Sequence, residues 1–331
     1  MLGIKPASHE KVQELTDSMV RDSQMDKGYL ALLIVAAIVA SLGLEQNSAA
    51  TIIGAMVVAP LMLPIRSLGY SLLRFERQLI FSSLRTLSLS IITVIALSVV
   101  IGLVSNRPEF GSEITSRTSV TFLGLGVAFA GGVLSAISEA ERESKITDSL
   151  VGVGIAVSLV PPLCAVGVTL SRMAWADSIG AGLLFFTNLV GISLACMLVF
   201  WLSGYQPRAQ WRAYAGLSIF AILLLSITPA LATASYQTSQ LSKIESFVQT
   251  QLNNYIPSAI GEISTNISWK KEPPELQIVL RAIETPTSEE VKHLQEAINL
   301  AFQKNYSLVV IQDATNWITP DTSSFVKPKP I

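Results

Sequence analysis

Charged side chains are scarce in this chain. Asp, Glu, Lys and Arg make up 14% of its 331 residues, whereas a soluble domain carries about 25%. The scarcity is concentrated in long apolar runs that fill the chain before about residue 233, and the residues after them have an ordinary soluble composition. Such a break in composition marks a domain boundary. We therefore predict an integral membrane protein that ends in a small soluble domain.

Cysteine and histidine are rarer still, and their positions exclude several classes of site. Cys164 and Cys196 lie inside apolar runs, and His9 and His293 lie far apart outside them. Neither pair has the spacing of a metal site or a redox motif, so no metal and no cofactor are predicted. An enzyme is not predicted, because the runs contain no pairing of a nucleophile with a base. The net charge of -1, without a basic patch, predicts no nucleic-acid partner.

The membrane region contains runs long enough to span a bilayer, which takes roughly 20 apolar residues each. About seven runs meet this criterion, and short polar connectors separate them. The predicted spans are 28–46, 49–73, 82–104, 119–138, 149–171, 178–202 and 212–232. The predicted fold class is a membrane all-α bundle of about seven transmembrane helices, followed by a small α+β domain.

Basic residues near the ends of the runs predict the orientation in the cell membrane, because Lys and Arg collect on the cytoplasmic side. With a cytoplasmic N-terminus, that side would carry Lys5, Lys11, Arg21, Lys27, Arg74, Arg77, Arg142, Lys145, Arg208 and Arg212. The opposite short loops would carry Arg107, Arg117 and Arg172. An odd number of spans then predicts that the C-terminal domain is extracytoplasmic.

A repeat at an offset of 98 residues links two of the runs. Residues 51–64 resemble residues 149–162, and Gly54 and Pro64 align with a glycine and a proline of the second segment. Each segment is the second in a group of three spans, and a three-span unit followed directly by its copy must cross the membrane in the opposite direction. We predict a three-plus-three inverted repeat. Repeat one is residues 28–104 and repeat two is residues 119–202. An extra helix at 212–232 follows the two repeats.

Prolines occur in both repeated segments, as Pro60 and Pro64 in the first and Pro161 and Pro162 in the second. Proline removes a backbone donor and clashes with the preceding turn, so it interrupts a helix. Backbone groups freed inside a membrane must be buried in protein or face water. Interrupted helices at matching positions of an inverted repeat point to a transporter site. The alternative is that these prolines only kink packed helices.

Three stretches resemble, in the right order, signatures of the family catalogued as domain of unknown function 389. They are residues 53–64, residues 157–163 and Thr187-Asn188-Leu189. The resemblance covers about residues 28–202. The family is described as a hydrophobic prokaryotic membrane protein without an assigned function, so the resemblance implies a membrane architecture and no substrate.

Arg66 and Asn188 are the polar candidates within the predicted spans. Arg66 follows Pro64 by two residues, and a charge at a span centre costs about 2.5–3.5 kcal/mol on insertion scales. Beside a helix break Arg66 would attract an anion, or it would extend to the cytoplasmic headgroups. Asn188 would line a solute path or pin two helices together.

Together these features predict a membrane transporter or channel for a small solute, with its site near the midplane. An anion is slightly favoured, because the spans contain no acidic residue at mid-depth. The predicted substrate-binding residues are Gly54, Pro60, Pro64, Arg66, Pro161, Pro162 and Asn188. The alternative is a sensory or scaffold membrane protein whose outer domain binds a partner. The predicted partners are the lipid bilayer, the small solute and further copies of the chain in a homo-oligomer.

The two ends of the chain carry separate predictions. Within the cytoplasmic segment 1–27, apolar residues at helical spacing predict an amphipathic helix at 8–25 that lies on the membrane surface or against a neighbour; the alternative is a mobile polar tail. The segment 239–316 is predicted as an α+β domain for docking, oligomerisation or sensing, and 317–331 as a mobile tail. Its elements are a helix at 239–255, strands at 262–270 and 275–284, a helix opened by a Thr287–Glu290 capping box, and a buried strand at 306–313.

Overall fold

The computed structural model describes residues 6–105, 110–140, 159–205, 210–269, 272–282 and 285–312. The chain is mostly helical and divides into two compact units, residues 1–235 and residues 236–331. The first unit contains only helices among its described residues. They are α1 (His9–Asp22), α2 (Lys27–Glu45), α3 (Ala49–Val58), α4 (Met62–Arg74), α5 (Arg77–Ser105), α6 (Ser112–Thr115), α7 (Phe122–Ala140), α8 (Val160–Ser171), α9 (Trp175–Leu202) and α10 (Gln210–Tyr255), which continues into the second unit.

Several helices of the first unit are long and apolar enough to cross a membrane, as a membrane protein requires. Four qualify singly, namely α2, α5, α7 and α9. A fifth span is formed if α3 and α4, which meet at a bend of 54°, are counted together. The total of seven spans stays a prediction: residues 149–158 of the fifth predicted span lie outside the described residues, and the predicted span 212–232 lies within α10.

Helices α2, α5 and α8 run in the same direction. Along α2 and α5, the hydroxyl groups of Tyr29 and Ser90 lie 2.9 Å apart, and further on those of Ser41 and Ser98 are also separated by 2.9 Å. The glycine at 167 of α8 packs on Ser98 as well, and later along both helices Gly102 faces Ser171. Because residue numbers rise together along each pair, the three helices are parallel.

The turns after α4 and α8 have the same geometry. Phe75 and Met173 both adopt left-handed backbone angles, with φ of 55° and 56°. The next amide in each turn donates to a carbonyl five residues back, Glu76 to Ser71 and Ala174 to Thr169, both at 3.0 Å. Each turn reverses the chain, so α4 is antiparallel to α5 and α9 is antiparallel to α8.

Helix α7 runs alongside α9 in the same direction. A Cβ built on Gly191 of α9 would lie 2.8 Å from Leu125 of α7, and one built on Gly132 of α7 would lie 2.8 Å from Ala195 of α9. The small residues therefore allow these two backbones to approach closely. Since α9 is antiparallel to α8, the helices α7 and α9 run opposite to α2 and α5.

Helix α1 packs into the first unit through its hydrophobic side. Leu15 and Met19 are buried, and the hydroxyl group of Thr16 lies 2.7 Å from that of Tyr70 in α4. Ser67 of α4 donates to the carbonyl oxygen of Met19 at 2.8 Å. The predicted amphipathic helix is thus confirmed as one that lies against neighbouring helices, and the alternative of a mobile polar tail is wrong.

The second unit combines the end of α10 with a three-stranded sheet and one more helix. The added elements are β1 (Ala259–Ser268), β2 (Glu275–Ala282), α11 (Ser288–Phe302) and β3 (Ser307–Gln312). The sheet order is β1-β2-β3, with β1 antiparallel and β3 parallel to the central β2. Buried residues alternate along β2 as Leu276, Ile278 and Leu280, and they form a core with residues of α10 and α11 such as Val248 and Leu294. The predicted capping box of Thr287 and Glu290 is confirmed.

Two predictions near this unit are corrected. The helices predicted at 212–232 and 239–255 are one continuous helix, because residues 233–238 contain no glycine or proline to end it. The strand predicted as buried is only partly so: Ile311 is 45% exposed, since β3 is an edge strand and α11 covers one face of the sheet. The predicted tail 317–331 lies outside the described residues.

Candidate functional site at the interrupted helices

The structure confirms the predicted interruption of the helix at Pro60. Helix α3 ends at Val58, the next residue is extended with φ of -71° and ψ of 125°, and α4 begins at Met62 at an angle of 54° to α3. Pro60 lacks the amide hydrogen that would continue the ladder of α3, and its carbonyl instead accepts from Leu63 at 3.1 Å. Pro64 lies within the first turn of α4, where a missing donor costs least.

Helix α8 starts in a similar way. It begins at Val160, with Pro161 and Pro162 in its first turn, and both prolines are buried. Pro161 and Pro162 therefore start a helix, and the residues before Leu159 that would form the preceding half of a broken span lie outside the described residues. Neither α4 nor α8 has a side-chain hydrogen bond at its N-cap within the described chain.

Both of these helix starts lie at mid-depth in the bundle. In the hairpin of α8 and α9, Thr169 and Ser178 are joined by a hydrogen bond of 2.7 Å. Counting the same number of residues from this bond, backward along α8 and forward along α9, places Val160 level with Thr187, near the middle of α9. In the hairpin of α4 and α5, Ser83 donates to Ser67 at 3.0 Å, and the same construction brings the start of α4 level with the middle of α5.

Asn188 therefore lies at the level where α8 begins. Its side chain is buried, as is that of Thr187. The following turn of α9 packs closely on α7, because Gly191 faces Leu125 and Ala128. This position fits both predicted roles of Asn188, lining a path at mid-depth or joining helices.

Gly54 occupies a different environment from the other predicted site residues. It lies in the exposed part of α3, and a Cβ built on it would meet nothing within 4 Å. Gly54 is thus on the half-helix that leads to the break at Pro60, without close packing by the described residues.

Arg66 is held inside the bundle by two carboxylates. It is 8% exposed, and one terminal nitrogen of its guanidinium group lies 2.5 Å from Asp22 of α1 and 2.9 Å from Glu139 of α7. Ser18 of α1 donates to the same Glu139 at 2.7 Å. Glu139, which is buried, and Asp22, which is half-buried, hold the charge of Arg66 within the protein, and the alternative that Arg66 extends to the headgroups stays a prediction.

A second ion pair, in which the glutamate is buried, lies at the other end of α2. A terminal nitrogen of Arg172, just after α8, lies 2.6 Å and 2.7 Å from the two carboxylate oxygens of Glu45. Ser105, the last residue of α5, donates to Glu45 at 2.6 Å, and the guanidinium of Arg172 stacks 4.8 Å above the ring of Phe110. Such charge-assisted bonds are among the stronger ones in proteins.

The sequence interpretation missed both ion pairs. Glu45 and Glu139 each stand at the C-terminal end of an apolar run, which was a usable signal, but their partners lie far away in the chain. Within the described ranges, no group of three or more His, Cys, Asp and Glu side chains could hold a metal ion.

Comparison with known proteins shows a similarity to one family and to one relative, neither of which has an assigned activity. Residues 56–194 match the model of the family described as Domain of unknown function (DUF389), a stretch that contains Pro60, Arg66 and Asn188. An uncharacterized protein of Methanocaldococcus jannaschii is 28% identical over 230 residues, which is 66% of this chain and 71% of that protein. No solved structure matches the chain.

Proposed function

We propose that this chain, whose residues 56–194 match the model of the DUF389 family, is a membrane transporter or channel for a small solute. The site we propose is the mid-depth region where the break at Pro60 and the start of α8 lie. The observation that carries this proposal is the pair of short helices, α4 and α8, that both begin inside the bundle and run toward opposite ends of it. Interrupted helices at the midplane are typical of solute sites in secondary transporters.

An inverted repeat underlies this proposal. Helices α4 and α8 begin 98 residues apart, and so do α5 and α9. The left-handed residues of the two turns, Phe75 and Met173, are separated by the same interval. We take residues 27–105 as the first half and residues 122–202 as the second half. The opposite directions of α2 and α7, which begin the two halves, support the inversion.

The physical reason for a solute site is the cost of free backbone groups in a membrane. Where α3 stops and α4 starts, amide and carbonyl groups leave the helical ladder, and in a bilayer they need protein, water or a solute as partners. Asn188 brings a polar side chain to the same depth. An anchoring protein has no need of two such helix starts at matching positions.

The pairing of Arg66 removes the reason for preferring an anion. The preference for an anion depended on an available positive charge at Arg66, but Asp22 and Glu139 already neutralise that charge. An anion would have to displace the buried carboxylate of Glu139 and the half-buried carboxylate of Asp22 in order to bind there. We therefore propose a small solute without specifying its charge, and flux measurements with a panel of ions identify that charge.

The orientation is proposed from the basic residues. Arg21, Arg74 and Arg77 all belong to the end of the bundle where α1 packs, and the positive-inside rule assigns that end to the cytoplasm of the cell membrane. The C-terminal unit would then be extracytoplasmic, with a role in docking, sensing or a homo-oligomer. We expect no enzymatic activity and no nucleic-acid partner.

The test is solute flux through purified protein in liposomes. Wild type should pass one class of anion, cation or small neutral solute, and Asn188→Ala should reduce that flux roughly tenfold through loss of a mid-depth polar contact. The matched control is Thr93→Ala, which removes a hydroxyl group bonded only to its own helix at the surface of α5. Absence of flux across the whole panel would contradict the proposal and favour the sensory or scaffold alternative.

A further inference from the structure

Two groups of paired charges, each containing a buried glutamate, link the halves of the bundle reciprocally, and we propose that they are the two gates of the transport path. The inner gate consists of Arg66, Asp22 and Glu139, and the outer gate consists of Glu45 and Arg172. Each gate closes one end of the path, and solute passes when they open in turn. The inference rests on the proposed transport function and identifies the parts that control access to the site.

Reciprocity is the first argument. Glu45 ends α2, in the first half, and pairs with Arg172, which follows α8 of the second half. Glu139 lies at the end of α7, in the second half, and pairs with Arg66 of α4 in the first half. Glu45 thus joins the first helix of the first half to the end of α8, and Glu139 joins the first helix of the second half to α4. Any movement of one half against the other must stretch or break at least one pair.

Position is the second argument. Asp22 precedes the start of α2 and Glu45 is its last residue, so the gates are separated by about the length of α2, ~28 Å at 1.5 Å per residue. The helix starts at Met62 and Val160 lie between them, at mid-depth. One gate therefore lies on each side of the proposed site, as alternating access requires.

Burial is the third argument. Glu45 and Glu139 side chains are each 5% exposed, whereas the local pair of Arg117 and Glu113 leaves 20% and 23% of its side chains exposed. Loss of one partner from a buried pair leaves a charge that the protein disfavours, whereas an exposed pair contributes little. The gates can accordingly bias an equilibrium between closed and open ends, which the local pair cannot.

The two cysteines serve as natural reporters of opening. Cys164 of α8 is fully buried, with its sulfur 3.7 Å from the carbonyl oxygen of Ala37 in α2, on the path toward the outer gate. Cys196 of α9 is fully buried too, 3.4 Å from the carbonyl oxygen of Gly132 and against Gly69, one turn from Arg66 of the inner gate.

The experiment measures modification of each cysteine by a membrane-impermeant maleimide in full-length protein reconstituted in liposomes. Two backgrounds are used, Cys196→Ala to follow Cys164 and Cys164→Ala to follow Cys196. Glu45→Gln should raise the rate at Cys164 about tenfold or more and leave Cys196 unchanged. Glu139→Gln should do the reverse.

Controls separate gate opening from general loosening. Glu113→Gln, in the more exposed local pair, should change neither rate. The double reversal Glu45→Arg with Arg172→Glu restores a pair of opposite charges and should return the Cys164 rate to within about twofold of wild type. The proposal is overturned if either gate variant raises both rates together, if neither rate changes, or if the double reversal labels as fast as Glu45→Gln.

Labelling requires no solute, so the labelling experiment and the flux assay test the gates and the transport function independently. Selective labelling without any flux would contradict the transport function, whereas flux without selective labelling would contradict the gates alone.

Discussion

Gly69 in α4 and Gly167 in α8 are 98 residues apart, and each packs against the long helix of the opposite half. A Cβ built on Gly69 would lie 2.6 Å from the carbonyl oxygen of Ser193 in α9, and one built on Gly167 would lie 2.7 Å from that of Ile95 in α5. The short helices α4 and α8 therefore each pack against a long helix of the other proposed half. This packing holds the two halves together.

Alanine at either glycine should destabilise the bundle. Because the added methyl group meets backbone atoms that cannot rotate away, Gly69→Ala and Gly167→Ala should each lower the free energy of unfolding by about 1–3 kcal/mol. Gly126→Ala is the control, since its Cβ would meet nothing within 4 Å, and it should be neutral or slightly stabilising. Thermal unfolding of purified protein, followed by circular dichroism, measures all three. Equal effects at the three positions would contradict the packing argument.

Docking of α1 should depend on Met19. Its side chain is fully buried, whereas that of the adjacent Val20 is 39% exposed. Met19→Ala leaves a cavity that costs about 2–5 kcal/mol, so amide hydrogen exchange in α1 should accelerate, while Val20→Ala should have little effect. If both variants exchange at the wild-type rate, α1 is not held by this contact.

The C-terminal unit should lose stability in alkali through Tyr306. Burial, and secondarily the nearby Tyr236, raise the pKa of Tyr306 above its ordinary value of 10.0. The folded state therefore keeps the phenol proton longer than the unfolded state, so the associated stability is fully present below pH 10 and is lost as the pH rises through the folded pKa.

Tyr306→Phe tests this linkage with little other change, because the hydroxyl group has no hydrogen-bond partner among the described residues. We expect unfolding at neutral pH to change by less than about 1 kcal/mol and the alkaline loss to become smaller. Urea unfolding monitored by tryptophan fluorescence, at neutral pH and above pH 10, measures both. An undiminished alkaline loss would assign it to other groups.

The sequence was sufficient for features that depend on local chemistry. The apolar runs predicted α2, α5, α7 and α9, because hydrophobic length is a property of contiguous residues. Pro60 predicted the interruption between α3 and α4, since proline acts on its own turn. The capping box of Thr287 and Glu290 followed for the same reason.

The pairing of the charged residues in the helical bundle could not be predicted from local sequence. Arg66 was predicted either to bind an anion or to reach the headgroups, yet its partners are Asp22 and Glu139, which come from α1 and α7. Which charges meet is decided by the packing of distant segments, and no local pattern encodes it. The same holds for Arg172 and Glu45.

The central claim is that the two halves cross the membrane in opposite directions, and the sidedness of Arg77 and Trp175 tests it most directly. These residues begin α5 and α9, are 98 residues apart and are both exposed. In a background with Cys164 and Cys196 replaced by alanine, Arg77→Cys and Trp175→Cys are labelled with an impermeant maleimide in sealed right-side-out and inside-out vesicles. We predict that Trp175→Cys is labelled only in right-side-out vesicles and Arg77→Cys only in inside-out vesicles. Labelling of both positions from the same side would contradict the inverted arrangement, and with it the proposed site and gates.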